Sequence, residues 1–158
     1  MNASPKRIKM MNNKSKVWIL VVFVATFFMA ATLTIPSIGY ASEAQSMRKL
    51  RTVKRYVERR GVDCRNRASG DYLSQGDNYV VRTTLYRQNE YVIIGAGDSS
   101  VRDLDILILD ENFNEIDRDT KRDSTPIVEV SPRWSGTFYI GVLMYRGSGY
   151  SNIMICYK

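Results

Sequence analysis

Spaced carboxylates are the residues of this 158-residue chain best placed to do chemistry. In "DLDILILDENFNEIDRDTKRDSTP", residues 103 to 126, Asp103 and Asp105 alternate onto one face of a strand, and Asp123 follows in the loop before Pro126. Converging carboxylates repel one another unless a hard cation or a basic group neutralises them, which is how calcium sites are assembled. Asp103, Asp105 and Asp123 are therefore the metal candidates, with calcium as the ion. The alternative has Asp103 and Asp123 accepting backbone N–H groups in turns, while Arg102, Arg118, Lys121 and Arg122 balance the charge. Asp110, Asn112 and Asn114 have the spacing that opens an EF-hand loop. That loop requires Gly at its sixth position and Glu at its twelfth, where this chain has Glu115 and Lys121. A β-turn with polar corners is the expectation there.

The chain contains no His, which excludes Ser-His-Asp and Cys-His machinery and the usual zinc ligands. A glycosidase-like carboxylate pair stays open, but nothing singles one out. No catalytic residue and no cofactor other than calcium is expected. Two loop aromatics, Trp134 in "SPRWSG" and Tyr150 in "GSGYSN", are candidates for stacking on a ligand. A third candidate is basic. Arg48, Arg51, Lys54, Arg55 and Arg59 lie on one predicted helix, where summed charge attracts anionic headgroups or other polyanions. That helix also serves a purely structural reading, with its apolar stripe docked on the domain.

Behind these residues stand three segments. Residues 1–41 have the pattern of an export signal. Lys6, Arg7, Lys9, Lys14 and Lys16 lead into an uncharged apolar run from Val17 to Ile35, followed by Pro36 and the small-residue exit "GYA". Cleavage after Ala41 is expected. The rival reading is an uncleaved anchor, because the run approaches the roughly 20 apolar residues that cross a bilayer. Of the formal charge of +7, this leader carries five Lys/Arg and no Asp/Glu. Residues 42–68 are read as a basic amphipathic helix and connector. Ser42 or Ser46 is the cap, Gly61 the stop, and Met47, Leu50, Val53 or Tyr56, and Val57 the apolar stripe. Residues 42 to 67 hold nine Lys/Arg against three Asp/Glu, whereas 68 to 158 hold nine against thirteen. Cys64 and Cys156 survive processing, and an even count in an exported chain predicts one disulfide, two separate thiols being the alternative.

Residues 69–158 are read as a β-sandwich domain. From Asp71 the period changes to two, with Gly, Pro, Asn, Asp and Ser at regular intervals. About seven strands are expected, near Tyr79 to Tyr86, Tyr91 to Ala96, Leu104 to Leu109, Glu115 to Asp119, Ile127 to Val130, Thr137 to Tyr145 and Asn152 to Tyr157. Both faces of "TFYIGVLMYRG" are largely apolar, which marks a central strand.

The stretch from Tyr91 to Met144 resembles the bacterial pre-peptidase C-terminal domains. Its "GAGD" turn, "DLDI" strand, "DEN" turn, spaced aspartates before Pro126, and "P...G.F" entry at Pro132, Gly136 and Phe138 match that family's pattern. Phe113 stands where the turn often carries Gly. The resemblance implies an all-β, antiparallel jelly-roll-like sandwich, here preceded by one N-terminal α-helix. It also implies an exported, non-catalytic accessory module, a type of which some members bind collagen or calcium. The expected setting is secreted or periplasmic. The expected partner is an envelope component, protein or polysaccharide, with no nucleic acid and with membrane contact only peripheral or through an uncleaved signal. Interaction through the basic helix is the alternative function.

Overall fold

The computed structural model describes residues 42–158, except for the side chains of Arg65 and Asn66. The expected export signal, its cleavage after Ala41 and the alternative anchor all fall outside the described residues. Among the described residues, no helix is long and apolar enough to cross a membrane.

One helix, α1 (Glu43–Glu58), opens the described chain. Of the two candidate caps, Ser42 takes the role. Its backbone is extended and its Oγ accepts the Gln45 N–H at 3.3 Å. Ser46 is buried instead. Its hydroxyl donates to the Ala96 carbonyl at 2.8 Å and accepts from Asn152 Nδ2 at 2.8 Å. The Ser46 hydroxyl is thereby satisfied, and the helix is tied to two strands. Beyond the last turn, Gly61 adopts a φ of 81°, a left-handed conformation that glycine takes without a Cβ clash.

Eight strands follow: β1 (Asp63–Leu73), β2 (Asn78–Leu85), β3 (Tyr91–Gly97), β4 (Val101–Leu109), β5 (Glu115–Arg118), β6 (Ile127–Val130), β7 (Gly136–Gly147) and β8 (Gly149–Tyr157). They form two four-stranded antiparallel sheets, ordered β1-β8-β3-β6 and β2-β7-β4-β5. The strand beyond the expected seven is β1. Its sequence "DCRNRASGDYL" has too few apolar residues to alternate, and its strand state comes from antiparallel pairing with β8.

The main core lies between the sheets. Leu104, Ile106 and Ile108 of β4 and Phe138, Ile140, Val142 and Met144 of β7 point inward, opposite Ile93 of β3 and Ile153 of β8. A second, smaller core lies on the far side of the first sheet, where Leu50 and Val57 of α1 meet Val92, Ile94, Ala96 and Met154. Burying each such side chain contributes roughly 1.5–3 kcal/mol. Strand β3 is buried along its whole length because it has the helix on one face and the second sheet on the other. The three layers are therefore helix, sheet, sheet. Strand β7 is central, as its composition predicts, but among the described residues only one of its faces is covered by protein.

Cys64 and Cys156 are directly paired in the β1–β8 register and form a disulfide. It closes a sequence separation of 92 residues, a loop whose closure stabilises by about 4 kcal/mol on the chain-entropy model.

Candidate functional site

The carboxylates of β4 come together, but with a different third member from the one expected. Asp103 and Asp105 line a recess of about 190 Å³ on the outer side of the second sheet. Asp119 joins them from the residue just after β5, where its N–H is fixed by the Ile106 carbonyl at 3.0 Å. Arg118, Thr120, Lys121, Arg122 and Tyr145 complete the wall. Asp123 lies apart, with its Oδ1 accepting the Thr125 N–H at 2.6 Å and the Thr125 hydroxyl at 3.0 Å, the turn role that was the alternative for it.

Asp103 and Asp119 are each only 5% exposed. Asp103 Oδ1 and Asp119 Oδ2 have no hydrogen-bond partner, an uncommon state for buried carboxylate oxygens. The other Asp119 oxygen accepts the Lys121 N–H at 3.1 Å. Burial, reinforced by the charges of Asp103 and Asp119, pushes the Asp105 carboxyl above its ordinary value, against an opposing pull from Arg118. Arg118 is itself engaged by Glu115, to which it donates from Nε at 2.7 Å and from a terminal nitrogen. Among the described residues, no group of three or more Asp, Glu or Cys side chains is placed to hold a metal ion.

The "DENFN" segment is the turn its composition predicts. Asp110 Oδ1 accepts the N–H groups of Asn112 and Asn114 at 2.8 Å each, and Oδ2 accepts the Asn114 side-chain amide at 2.9 Å. The Asn114 side chain first, then the two N–H groups, hold the Asp110 carboxyl below its ordinary value. This turn presents Phe113 at a φ of 63°, a left-handed conformation in which a bulky residue is an outlier. The Phe113 ring is 63% exposed and stacks on Tyr139, with centroids 4.5 Å apart. Sequence reasoning noted Phe113 only as a departure from Gly.

Phe113 marks one end of a sheet face that no other described residues cover. Along β7, Tyr139, Gly141, Leu143 and Tyr145 alternate with the core residues and so point outward. Val80 and Leu107 flank Gly141 from β2 and β4, while Asn78 and Arg82 flank Leu143 and Tyr139. A Cβ on Gly141 would meet only Leu107, at 3.7 Å, so a trough crosses the centre of the face. Val80 is 51% and Tyr145 61% exposed. Tyr139 and Tyr145 are six residues apart, about 20 Å along a strand.

The two loop aromatics singled out by sequence are not brought together. Trp134 is half-buried against the core, stacks on Phe138 at 5.4 Å, and donates from Nε1 to Glu111 at 3.1 Å. Tyr150 meets Tyr72 edge-on at 5.3 Å in the other sheet. The exposed rings of the second sheet are Phe113 and Tyr145 instead.

On α1, Arg48, Arg51, Arg55 and Arg59 are exposed, and Lys54 pairs with Glu58 at 3.5 Å. Lys49 turns the other way and donates to Ser124 Oγ at 2.9 Å, with burial lowering its pKa against the pull of Asp98 and Asp123. Asp98, missed by sequence reasoning, anchors the helix start. Fully buried, it accepts the N–H groups of Ser42 and Tyr150 at 2.9 Å and of Ser100 at 2.8 Å. Its negative charge also suits a helix N-terminus.

A roomier recess of about 480 Å³ lies beyond the end of α1, with Arg60, Glu90, Glu129 and Lys158 around Val57 and Val92. It contains no buried polar atom without a partner.

No family model and no curated protein matches the chain. Among solved structures, it is similar to the pre-peptidase C-terminal domain of a collagenase from Bacillus anthracis. The two are 15% identical with a TM-score of 0.46, over 57% of this chain and 88% of that one. That is the kind of domain that the Tyr91 to Met144 motifs resemble.

Proposed function

We propose that this chain is an exported, non-enzymatic accessory module that binds an envelope polysaccharide on the uncovered face of its second sheet. The observation that carries the reading is Phe113, a bulky side chain held at positive φ with its ring exposed beside Tyr139. Such strain persists only where the surroundings over-determine it, and it clusters at functional positions. Rings near both ends of the face offer flat apolar surface to sugar rings, and the trough at Gly141 admits a chain between them. Asn78 and Arg82 supply hydrogen bonds along the rim. The Cys64–Cys156 disulfide is compatible with an oxidising, exported setting.

The test is co-sedimentation with purified, protein-free cell-wall polysaccharide. The wild-type chain is expected in the pellet, and Phe113→Asn and Tyr145→Ser are each expected to weaken binding at least tenfold. No retention of wild type, or equal retention of both variants, overturns the reading.

A second reading rests on the exposed stripe of Arg48, Arg51, Arg55 and Arg59, whose spacing of three and four places them on one helix face. It has the module held at an anionic surface through summed charge. Binding to anionic liposomes that is lost when these four become Gln, with the polysaccharide result negative, selects this reading.

A further inference from the structure

We propose that β2 is a docking edge on which a second copy of this chain lays its own β2, antiparallel, so that the second sheets of the two copies become one. Among the described residues the sheets end in four edge strands, β1 and β6 on the first and β2 and β5 on the second. An edge strand presents unpaired N–H and C=O groups, and proteins guard such edges with short length, charge, proline or irregular pairing. Three of the four are guarded in this way. Strand β6 has four residues and lies between Pro126 and Pro132. Strand β5 also has four, every one exposed and three of them charged. Strand β1 breaks register between Cys64 and Ala68 and carries Arg67 and Asp71.

Strand β2 has none of these devices. Its eight residues, "NYVVRTTL", pair with β7 in unbroken register, include no Pro or Gly, and hold one charge, Arg82. Among the described residues, no other strand or loop bonds the backbone of residues 78–85. The register also shows which groups are open. The Met144 N–H donates to the Asp77 carbonyl at 3.0 Å, which makes Asp77 and Met144 a hydrogen-bonded pair. Antiparallel alternation then bonds Tyr79, Val81, Thr83 and Leu85 to β7, and turns the N–H and C=O groups of Asn78, Val80, Arg82 and Thr84 to the free edge.

Those residues are self-complementary. With Val80 opposite Arg82 of the second copy, two-fold symmetry sets Arg82 opposite Val80 and Asn78 and Thr84 opposite each other. Every outward N–H and C=O then meets one of its own kind turned the right way. Sliding the pairing one way sets Arg82 against Arg82, which like charge opposes, and sliding it the other way leaves Thr84 without a partner. The contact is mainly main-chain and buries little side-chain area, so the pair is weak and reversible. It would unite the open outer faces of the two copies. The readouts below involve no polysaccharide, so this inference and the proposed function can fail separately.

The experiment is sedimentation velocity of the full-length chain over a concentration series, with residue-resolved amide hydrogen exchange at both ends of the series. Expected is a reversible monomer–dimer equilibrium. The amides of Val80, Arg82 and Thr84 should exchange freely in the monomer and at least about tenfold more slowly in the dimer, while those of Tyr79, Val81 and Thr83 stay protected in both. Val80→Pro removes only an outward N–H and should weaken the dimer about tenfold. Should it fail to fold, Val80→Lys carries the same test, because it changes an exposed side chain that faces Arg82 of the second copy. Val80→Glu sets a carboxylate opposite that Arg82 and should tighten the dimer about threefold. A monomer at every concentration, a dimer whose Val80, Arg82 and Thr84 amides still exchange freely, or a dimer undiminished by Val80→Lys or weakened by Val80→Glu overturns the proposal.

Discussion

The two sheets of this protein both carry apolar side chains on their outer faces, and among the described residues only one of those faces is covered. On the first sheet, Val92, Ile94, Ala96 and Met154 lie under Leu50 and Val57 of α1, with Ser46, Lys49 and Asp98 supplying polar ties. On the second, Val80, Leu107, Tyr139, Leu143 and Tyr145 face outward with no helix over them among the described residues. Both faces carry apolar side chains, but their physical consequences differ. Apolar area that is buried contributes to stability, while apolar area left open is available to a partner.

That difference can be broken most severely from the covered side. Leu50→Ala removes a fully buried side chain from the helix interface and should cost about 3 kcal/mol in a denaturant melt. Tyr145→Ser, on the open face, should stay within about 0.5 kcal/mol of wild type by the same measurement. A large loss for Tyr145→Ser would mean that its face is structural, and the comparison would collapse.

Much of this arrangement is legible in the sequence, and the gaps have physical causes. Helix α1 shows in its 3.6 period and in a serine cap that the sequence leaves open between Ser42 and Ser46, and β2 to β8 show in their alternation and turn residues. Strand β1 escapes because its residues alternate poorly and its structure is imposed by β8. Alternation places Asp103 and Asp105 together, but choosing Asp119 over Asp123 depends on the β4–β5 register, including the irregularity at Ile108 and Leu109. Local sequence does not encode that register. Trp134 reads as a loop residue and is one, yet its ring folds back onto Phe138 through a contact four residues away that only the packed sheet fixes. Which apolar face of a strand receives the helix is likewise a tertiary outcome, so β7 could be identified as central but not as half-open.

A smaller effect sharpens the comparison from the open side. The Asp110 carboxylate that builds the Phe113 turn has a depressed pKa in the folded state, so its contribution is fully present above the unfolded value and is lost as pH falls through the folded one. The amide resonances of Asn112 and Asn114 should therefore move only below about pH 4, and Asp110→Asn should remove that transition. A transition nearer neutral pH would contradict the hydrogen-bonded turn.

The most direct test of the central claim is hydroxyl-radical footprinting of the protein with and without bound cell-wall polysaccharide, because exposed aromatics mark both outer surfaces. Phe113 and Tyr145 report on the open sheet face, and Tyr56, 52% exposed on α1 with Arg60 stacked at 5.2 Å, reports on the helix. The account predicts protection of Phe113 and Tyr145 with Tyr56 unchanged; protection of Tyr56 with Phe113 and Tyr145 still labelled would contradict it.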